Sequence, residues 1–283
     1  MSNHCLIEVG TEELPPRALQ SLSRDFADLV QKGLAAAELS AQSVEVFATP
    51  RRLAMLLGEL PLRQADRKIE KRGPALAAAF DADGKPSKAA SGFARSCGVD
   101  VEQLETHETD KGSWLYFHAT EAGRDLRELL PEIVSAALAA LPIPKRMRWG
   151  ERTDEFVRPV KWFLMMLDGE VVDAEIFGLR SGNCSYGHRF HAPGKLELSN
   201  ASDYEQLLLT QGMVVASFDQ RRDSIRELVE QAALRLGGEV RIDAGLLDEH
   251  EAATHWLASP LLEAYGSVAS TQRIVEVGNI ITC

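Results

Sequence analysis

The stretch PIPKRMRWGERTDEFVRPVKWF, Pro142 to Phe163, runs on into Leu164 to Leu167 and decides the fold. Before it, Leu126 to Leu141 is an Ala- and Leu-rich helix, which the Pro142 and Pro144 pair ends. Within it, Val160 to Leu167 is strongly apolar, as a central strand must be, and Asp168-Gly169 turns that strand into Val171 to Phe177. A helix followed by strands joined through tight turns is the signature of an α+β chain, not of a doubly wound parallel sheet. The same stretch is locally basic. Lys145, Arg146, Arg148, Arg152, Arg158 and Lys161 stand against Glu151, Asp154 and Glu155, with Trp149, Phe156, Trp162 and Phe163 interleaved. Two readings are open: cations beside flat rings that hold phosphates and stack on unpaired bases, or strands whose Arg and Lys stems cover apolar side chains.

Working back to the start, Cys5 to Val9 reads as a strand with Glu8 inside an apolar run. In GTEELPPRAL, Thr11 is placed to cap a helix with Glu12 and Glu13 in its first turn, where the helix dipole favours acids. Leu19, Leu22, Phe26, Leu29, Val30, Gly33 and Leu34 recur at helical spacing toward Leu39. Val44, Val46 and Ala48 alternate as a strand, and LAMLLGEL after Arg51-Arg52 reads as another. Arg63, Arg67, Lys68, Lys71 and Arg72 form a second basic cluster, read either as the solvent face of a strand or as a phosphate-contacting edge. Leu76 to Phe80 and Pro86 to Cys97 read as helices, the second stopped by Gly98. Val101 to Leu104 and Trp114 to Ala119 suggest a hairpin with Asp110-Lys111-Gly112 at its tip. Tyr204 to Gln211 and Gln220 to Leu236 read as helices, with Gly237-Gly238 as a stop and Glu239 to Ile242 as a strand. The expected fold class is α+β, with mixed, largely antiparallel sheets, packed helices and more than one subdomain.

Composition narrows the chemistry. The 283 residues are 45% hydrophobic and 26% charged, with a net charge of -11. A body this acidic does not coat duplex DNA indiscriminately, though it can carry one basic face. No apolar run reaches the roughly 18 residues that span a membrane. The start, MSNHCLIEVG, lacks the basic and apolar regions of a secretory signal. Cys5, Cys97, Cys184 and Cys283 are scattered, which fits reduced cytosolic thiols rather than a disulfide frame or zinc site. There is no phosphate-binding glycine loop, no dinucleotide turn and no nucleophile elbow. The DADG turn, Asp81 to Gly84, lacks the later ligands of a calcium loop. His188 and His191 sit in a glycine- and proline-flanked loop without the carboxylates of a zinc set, leaving hydrogen bonding within the loop or contact with RNA or a subunit as their reading.

Taken in order, several segments resemble one family. They are LIEVGTEELPPRAL, FATPRRLAML, KRGPALAAAFDADGKPSKAASGFARSCGV, KGSWLYF, LPIPKRMRWGERTDEFVRPVKWFLMMLDGEVV and YGHRFHAPG. Together they are similar to the β subunit of the bacterial two-subunit glycyl-tRNA synthetase, from about Cys5 to about Asp248, with Leu141 to Val172 the most specific part. The resemblance implies a non-catalytic role: binding tRNA and scaffolding an α₂β₂ assembly in the cytoplasm. The active site, with glycine, ATP and Mg, belongs in that family to the separate α subunit, so no catalytic residue, metal or cofactor is expected here. Arg51, Arg52, Lys145, Arg146, Arg148, Arg158, Lys161, His188 and Arg189 lie inside the matched segments and are the candidate contacts to tRNA or to a subunit. Two other classes stay open: a purely structural docking module, in which Trp149 and Trp162 are buried, and a hydrolase centred on His188 and His191. The family's chains are more than twice this length, and their HD-like and anticodon-binding regions have no counterpart here. Residues 1–248 are therefore expected to be an N-terminal region, with internal boundaries near 62, 123 and 195, and 249–283 a divergent or truncated tail.

Overall fold

The computed structural model describes residues 3–81, 84–109, 112–151 and 153–235. The tip residues Asp110-Lys111, the glycine stop at Gly237-Gly238, the strand expected after it and the tail lie outside them. The chain forms two compact units: Arg63–Asp125 is one, and the flanking segments before and after it make the other.

The larger unit begins with β1 (His4–Thr11), α1 (Pro16–Ala36), β2 (Ser43–Thr49) and β3 (Arg52–Gly58). Every residue of β1 from Cys5 to Thr11, and every residue of β3, is buried, as strands covered on both faces must be. Helix α1 starts later than the sequence suggests. Thr11 ends β1, Pro15 is the cap, and the first turn holds no acid. Two consecutive prolines favour the extended entry and a start at Pro16, so Glu12 and Glu13 are not dipole residues.

The smaller unit holds β4 (Arg67–Ala75), α2 (Leu76–Ala79), α3 (Lys88–Cys97), β5 (Glu105–Thr109) and β6 (Gly112–Glu121). Its sheet is antiparallel in the order β4-β6-β5. The expected strand at Val101–Leu104 is instead a short 3-10 turn, and the strand follows it. Helix α3 is capped by the Ser87 hydroxyl, which accepts from the Ala90 amide at 3.2 Å, and ends on Gly98 at φ 72°. The helices cover one face of the sheet, where Ala79, Ala90 and Leu115 are buried and Gly73 lies directly against the Phe93 ring. Asp81 Oδ1 accepts from the Lys85 amide at 2.8 Å, so this carboxylate serves a turn.

The chain then re-enters the larger unit with α4 (Leu126–Ala140), β7 (Met147–Arg148), β8 (Glu155–Phe156), β9 (Val160–Leu167), β10 (Glu170–Val171), β11 (Glu175–Ile176), β12 (Leu179–Arg180), β13 (Cys184–Tyr186), β14 (Lys195–Glu197), α5 (Tyr204–Thr210) and α6 (Phe218–Arg235). The strand expected over Val171–Phe177 is broken. Phe177 and Gly178 take positive φ (53° and 68°) to turn β11 into β12. The central sheet runs β10-β9-β1-β3-β2, antiparallel throughout. Its odd-numbered β1 residues, Cys5, Ile7 and Val9, pack in one core with Phe26, Val30, Leu130 and Val134 from α1 and α4. Its other face packs Leu6, Trp162, Leu164 and Met166 against Leu196, Leu198, Tyr204 and Leu208. Burial pushes the Cys5 thiol up to about 12. The fold is α+β, with antiparallel sheets in both units.

Candidate functional site

The antiparallel order brings three distant segments to one end of the central sheet, the end of β1, the β2–β3 turn and the residues before β9, and the loop after β13 joins them through Arg189. Backbone bonds tie the first three together. The Thr11 amide donates to Arg51 O at 2.8 Å, Glu12 to Pro159 O at 3.0 Å, and Leu14 to Pro50 O at 2.6 Å. The side chains that emerge are charged. Arg189 reaches Glu13 at 2.8 Å and Glu12 at 3.3 Å, and Lys161 reaches Glu12 at 3.2 Å. Arg158 Nε donates to the Glu13 carbonyl at 3.0 Å. Arg51 lies behind them with its guanidinium 5.7 Å from the Trp162 ring. Burial, then the nearby Arg189 cation, lowers its pKa, while Glu12 and Glu13 act the other way. Phe190 at the loop apex is 67% exposed, beside His188 and His191, whose rings are 4.5 Å apart.

His188 Nδ1 accepts from the amides of Phe190 and His191, both at 3.2 Å, which folds the loop back on the imidazole. Its pKa is lowered by burial first, then by His191 and Arg51. The sign follows from linkage. Below about pH 6.5 the unfolded imidazole binds a proton that the folded one resists, so this contribution is complete above that pH and lost below it. Protection of the His188 to Ala192 amides against hydrogen exchange, corrected for intrinsic rate, is expected to fall as pH drops below about 6.5. Unchanged protection would contradict the packing of this loop.

Arg52 belongs to a different environment. It is 1% exposed, and points into the second core beside Glu8, which is fully buried. The two charges are 3.5 Å apart. Glu8 Oε1 also accepts from Trp162 Nε1 at 2.8 Å and from the Ser185 hydroxyl at 2.9 Å, while Arg52 donates to Ser185 Oγ at 3.1 Å and to the Tyr186 carbonyl. Arg52 therefore cannot meet RNA directly, and its place among the contact candidates is corrected to that of a buried structural cation.

The basic–aromatic stretch divides as well. Phe156, Trp162 and Phe163 are 0%, 7% and 3% exposed, and half-buried Trp149 packs on Phe177 with ring centroids 5.9 Å apart. The first three rings are core, and Trp149 packs partly buried against it. Arg146 donates to the carbonyls of Ala139 (2.9 Å) and Leu141 (3.0 Å), at the negative end of α4. Arg148 pairs with Glu155 at 2.6 Å, and Lys145 is exposed. The adjoining cleft, about 500 Å³, is lined by Asp154, Glu155 and Glu175 beside Arg146, an acidic wall unsuited to phosphate. Among the described residues no group of three His, Cys, Asp or Glu is placed to hold a metal, and no helix is long and apolar enough to cross a membrane. Sequence reading missed Glu12 and Glu13 as partners of Arg189 and Lys161, because only strand order brings them together.

What these features define is a charged surface on an antiparallel scaffold. Residues 5–259 match the family described as glycyl-tRNA synthetase beta subunit, past the Asp248 at which the recognisable segments stop. The chain belongs to that family. It is 49% identical over 251 residues to a glycine–tRNA ligase beta subunit of Hahella chejuensis, 48% over 252 residues to one of Marinobacter nauticus, and 45% over 251 residues to one of Coxiella burnetii. Each match covers 89% of this chain, and the chain spans 36% of the length of each of these relatives.

Proposed function

We propose that this chain supplies a non-catalytic, tRNA-contacting and scaffolding part of a glycine–tRNA ligase of the cytoplasm. The ligase joins the carboxyl of glycine to the 3′ end of its tRNA at the expense of ATP. On this reading the active site with ATP and Mg lies on a partner α subunit, in an α₂β₂ assembly, and the present residues grip and orient the RNA. Family membership carries the reading. The sheet-end surface supports it, because segments from all over the family's pattern meet there in a set of cations: Arg51, Arg158, Lys161 and Arg189. Their carboxylate partners are no obstacle. Exposed ion pairs are worth about 0–1 kcal/mol, so a phosphate can replace Glu12 or Glu13 at little cost.

The test is a binding titration of glycine tRNA at two salt concentrations, with and without the α subunit. Lys161→Glu combined with Arg189→Glu is expected to weaken binding about tenfold or more. It should also flatten the log–log salt dependence by about 1.5, the share of two lost phosphate contacts. Equal affinity and slope for the variant would exclude the sheet end as an RNA surface.

A second reading, docking of a partner subunit without RNA contact in this part, is favoured by one observation. The aromatic rings of Pro142 to Phe163 are spent inward and Arg148 is already paired. Co-purification with α without any tRNA retardation would select it.

A further inference from the structure

The smaller unit presents a sheet face that the reading above leaves unused. The helices α2 and α3 occupy one side of β4-β6-β5, the side of Leu115 and of Gly73 against Phe93. Strand alternation sends Trp114, Tyr116 and His118 of β6 to the opposite side. There they meet Arg72 and Lys68 of β4 and His107 of β5, by the register Arg72↔Tyr116, Lys68↔Thr120 and His107↔Trp114. The contacts confirm the shared face. The Arg72 guanidinium lies 3.8 Å from the Trp114 ring centre, the Tyr116 ring is 5.4 Å from His107, and Tyr116 is 6.0 Å from His118. Trp114 and Tyr116 are only half-buried, and His118, His107, Lys68 and Arg72 are exposed. Among the described residues no other element of this unit covers them.

We infer that this face binds single-stranded RNA by stacking unpaired bases on Tyr116 and on the Arg72–Trp114 pair, with the charges of Lys68 and Arg72 holding the phosphates. Three features point to a nucleic acid strand rather than an apolar partner. The rings stand at every second residue of one strand, about 7 Å apart, a spacing that an extended strand can follow with one base per ring. The guanidinium stacked on Trp114 extends the flat surface and adds charge, as cation–aromatic pairs do at such sites. Edge strand β4 puts two cations, Lys68 and Arg72, on this face, in a chain of net charge -11. Glu70 and Glu105 are the acids on the stacking face. Glu70 stands between the two cations and opposite His118, and Glu105 lies 3.9 Å from His118, so both acids gather around His118 and phosphates are held at the two ends of β4, by Lys68 and Arg72. The inference stands on the smaller unit alone and is independent of the sheet-end surface.

The experiment is fluorescence anisotropy of the full chain with a short labelled oligouridylate and with a duplex of the same length. Salt-sensitive binding of the single strand is expected, with the duplex at least about tenfold weaker because its base faces are hidden. Tyr116→Ala and Trp114→Ala should each weaken single-strand binding about tenfold, while Trp114→Phe, which keeps a ring, stays within about threefold. Lys68→Glu should weaken binding and flatten its salt dependence. If ring removal disturbs the fold by circular dichroism, Lys68→Glu and His118→Ala still decide, because they alter exposed positions. No binding of the oligonucleotide, equal binding of the duplex, or binding indifferent to these substitutions overturns the inference. So does release of a partner subunit by the same ring removals in the absence of oligonucleotide binding, which would make the face a protein interface.

Discussion

Arg52→Ala is expected to lower the melting midpoint by roughly 10 °C. The substitution strands Glu8, which is fully buried, with two neutral donors and no cation. Removing one partner of a buried pair costs about 3–5 kcal/mol, because the remaining charge stays desolvated. A protein of this size loses about 2–4 °C per kcal/mol. Replacing both charges, as in Glu8→Gln with Arg52→Met, should recover a large part of that loss, since no unpaired charge remains. Thermal and urea denaturation of the two single variants and the double variant measure the coupling. A loss below about 1 kcal/mol for Arg52→Ala would show that the pair carries little. The same variant separates structure from contact. Arg52 holds Ser185 and the Tyr186 carbonyl, and so anchors the strand that leads to His188 and Arg189. On the proposed function, weaker tRNA binding with an unchanged salt slope is therefore expected while the protein is folded, whereas a lost phosphate contact would change the slope.

That Arg52 turns inward while its neighbour Arg51 lies at the surface edge marks the limit of what the sequence discloses. Alternation fixes which residues share a face only where one face is wet. β3 is buried along its whole length, so its apolar run has no period to read. By contrast, the 3.6-residue recurrence of Leu19, Leu22, Phe26, Val30 and Leu34 located α1, and all five are buried. The apolar run at Val160 to Leu167 was legible as a central strand for the same reason that it hides its rings: only Lys161 among its residues is exposed. The candidate site was legible as motifs but not as a place. Glu12, Arg51, Lys161 and Arg189 are far apart in sequence; the first three meet because β9, β1 and β3 are neighbours in the sheet, and the loop after β13 brings Arg189 onto Glu12 and Glu13. Strand order follows from packing and cannot be counted off spacing. The aromatic face of the smaller unit was hidden for a related reason. KGSWLYF alternates Trp114 and Tyr116 with Leu115 and Phe117, and only the position of α2 and α3 decides which pair is covered.

Gly10→Ala is the second large effect, and it gives a physical reason for the glycine in LIEVGTEELPPRAL. Gly10 faces Trp162 across the β1–β9 pair, and a Cβ on it would stand 1.8 Å from Cε2 and 2.0 Å from Cδ2 of the indole. The ring has nowhere to go. It is 7% exposed, its Nε1 donates to Glu8 at 2.8 Å, and the guanidiniums of Arg51 and Arg52 lie 5.7 and 5.8 Å from it. Alanine must either push the indole out, which removes a donor from the buried Glu8, or part β1 from β9. Overpacking costs about 1–3 kcal/mol, and a buried acceptor deprived of its donor about 1–3 more. The expected loss is about 4 kcal/mol, with a red shift of the Trp162 emission as water reaches the ring. Trp162→Leu makes room for the methyl group but also gives up the Glu8 bond. Gly10→Ala with Trp162→Leu should therefore be less unstable than the sum of the two single changes by about 1 kcal/mol or more. Additive losses, or a Gly10→Ala protein that melts and fluoresces like the parent, would mean that the indole does not lie on Gly10. The second core would then lose its explanation for a glycine in an otherwise buried strand.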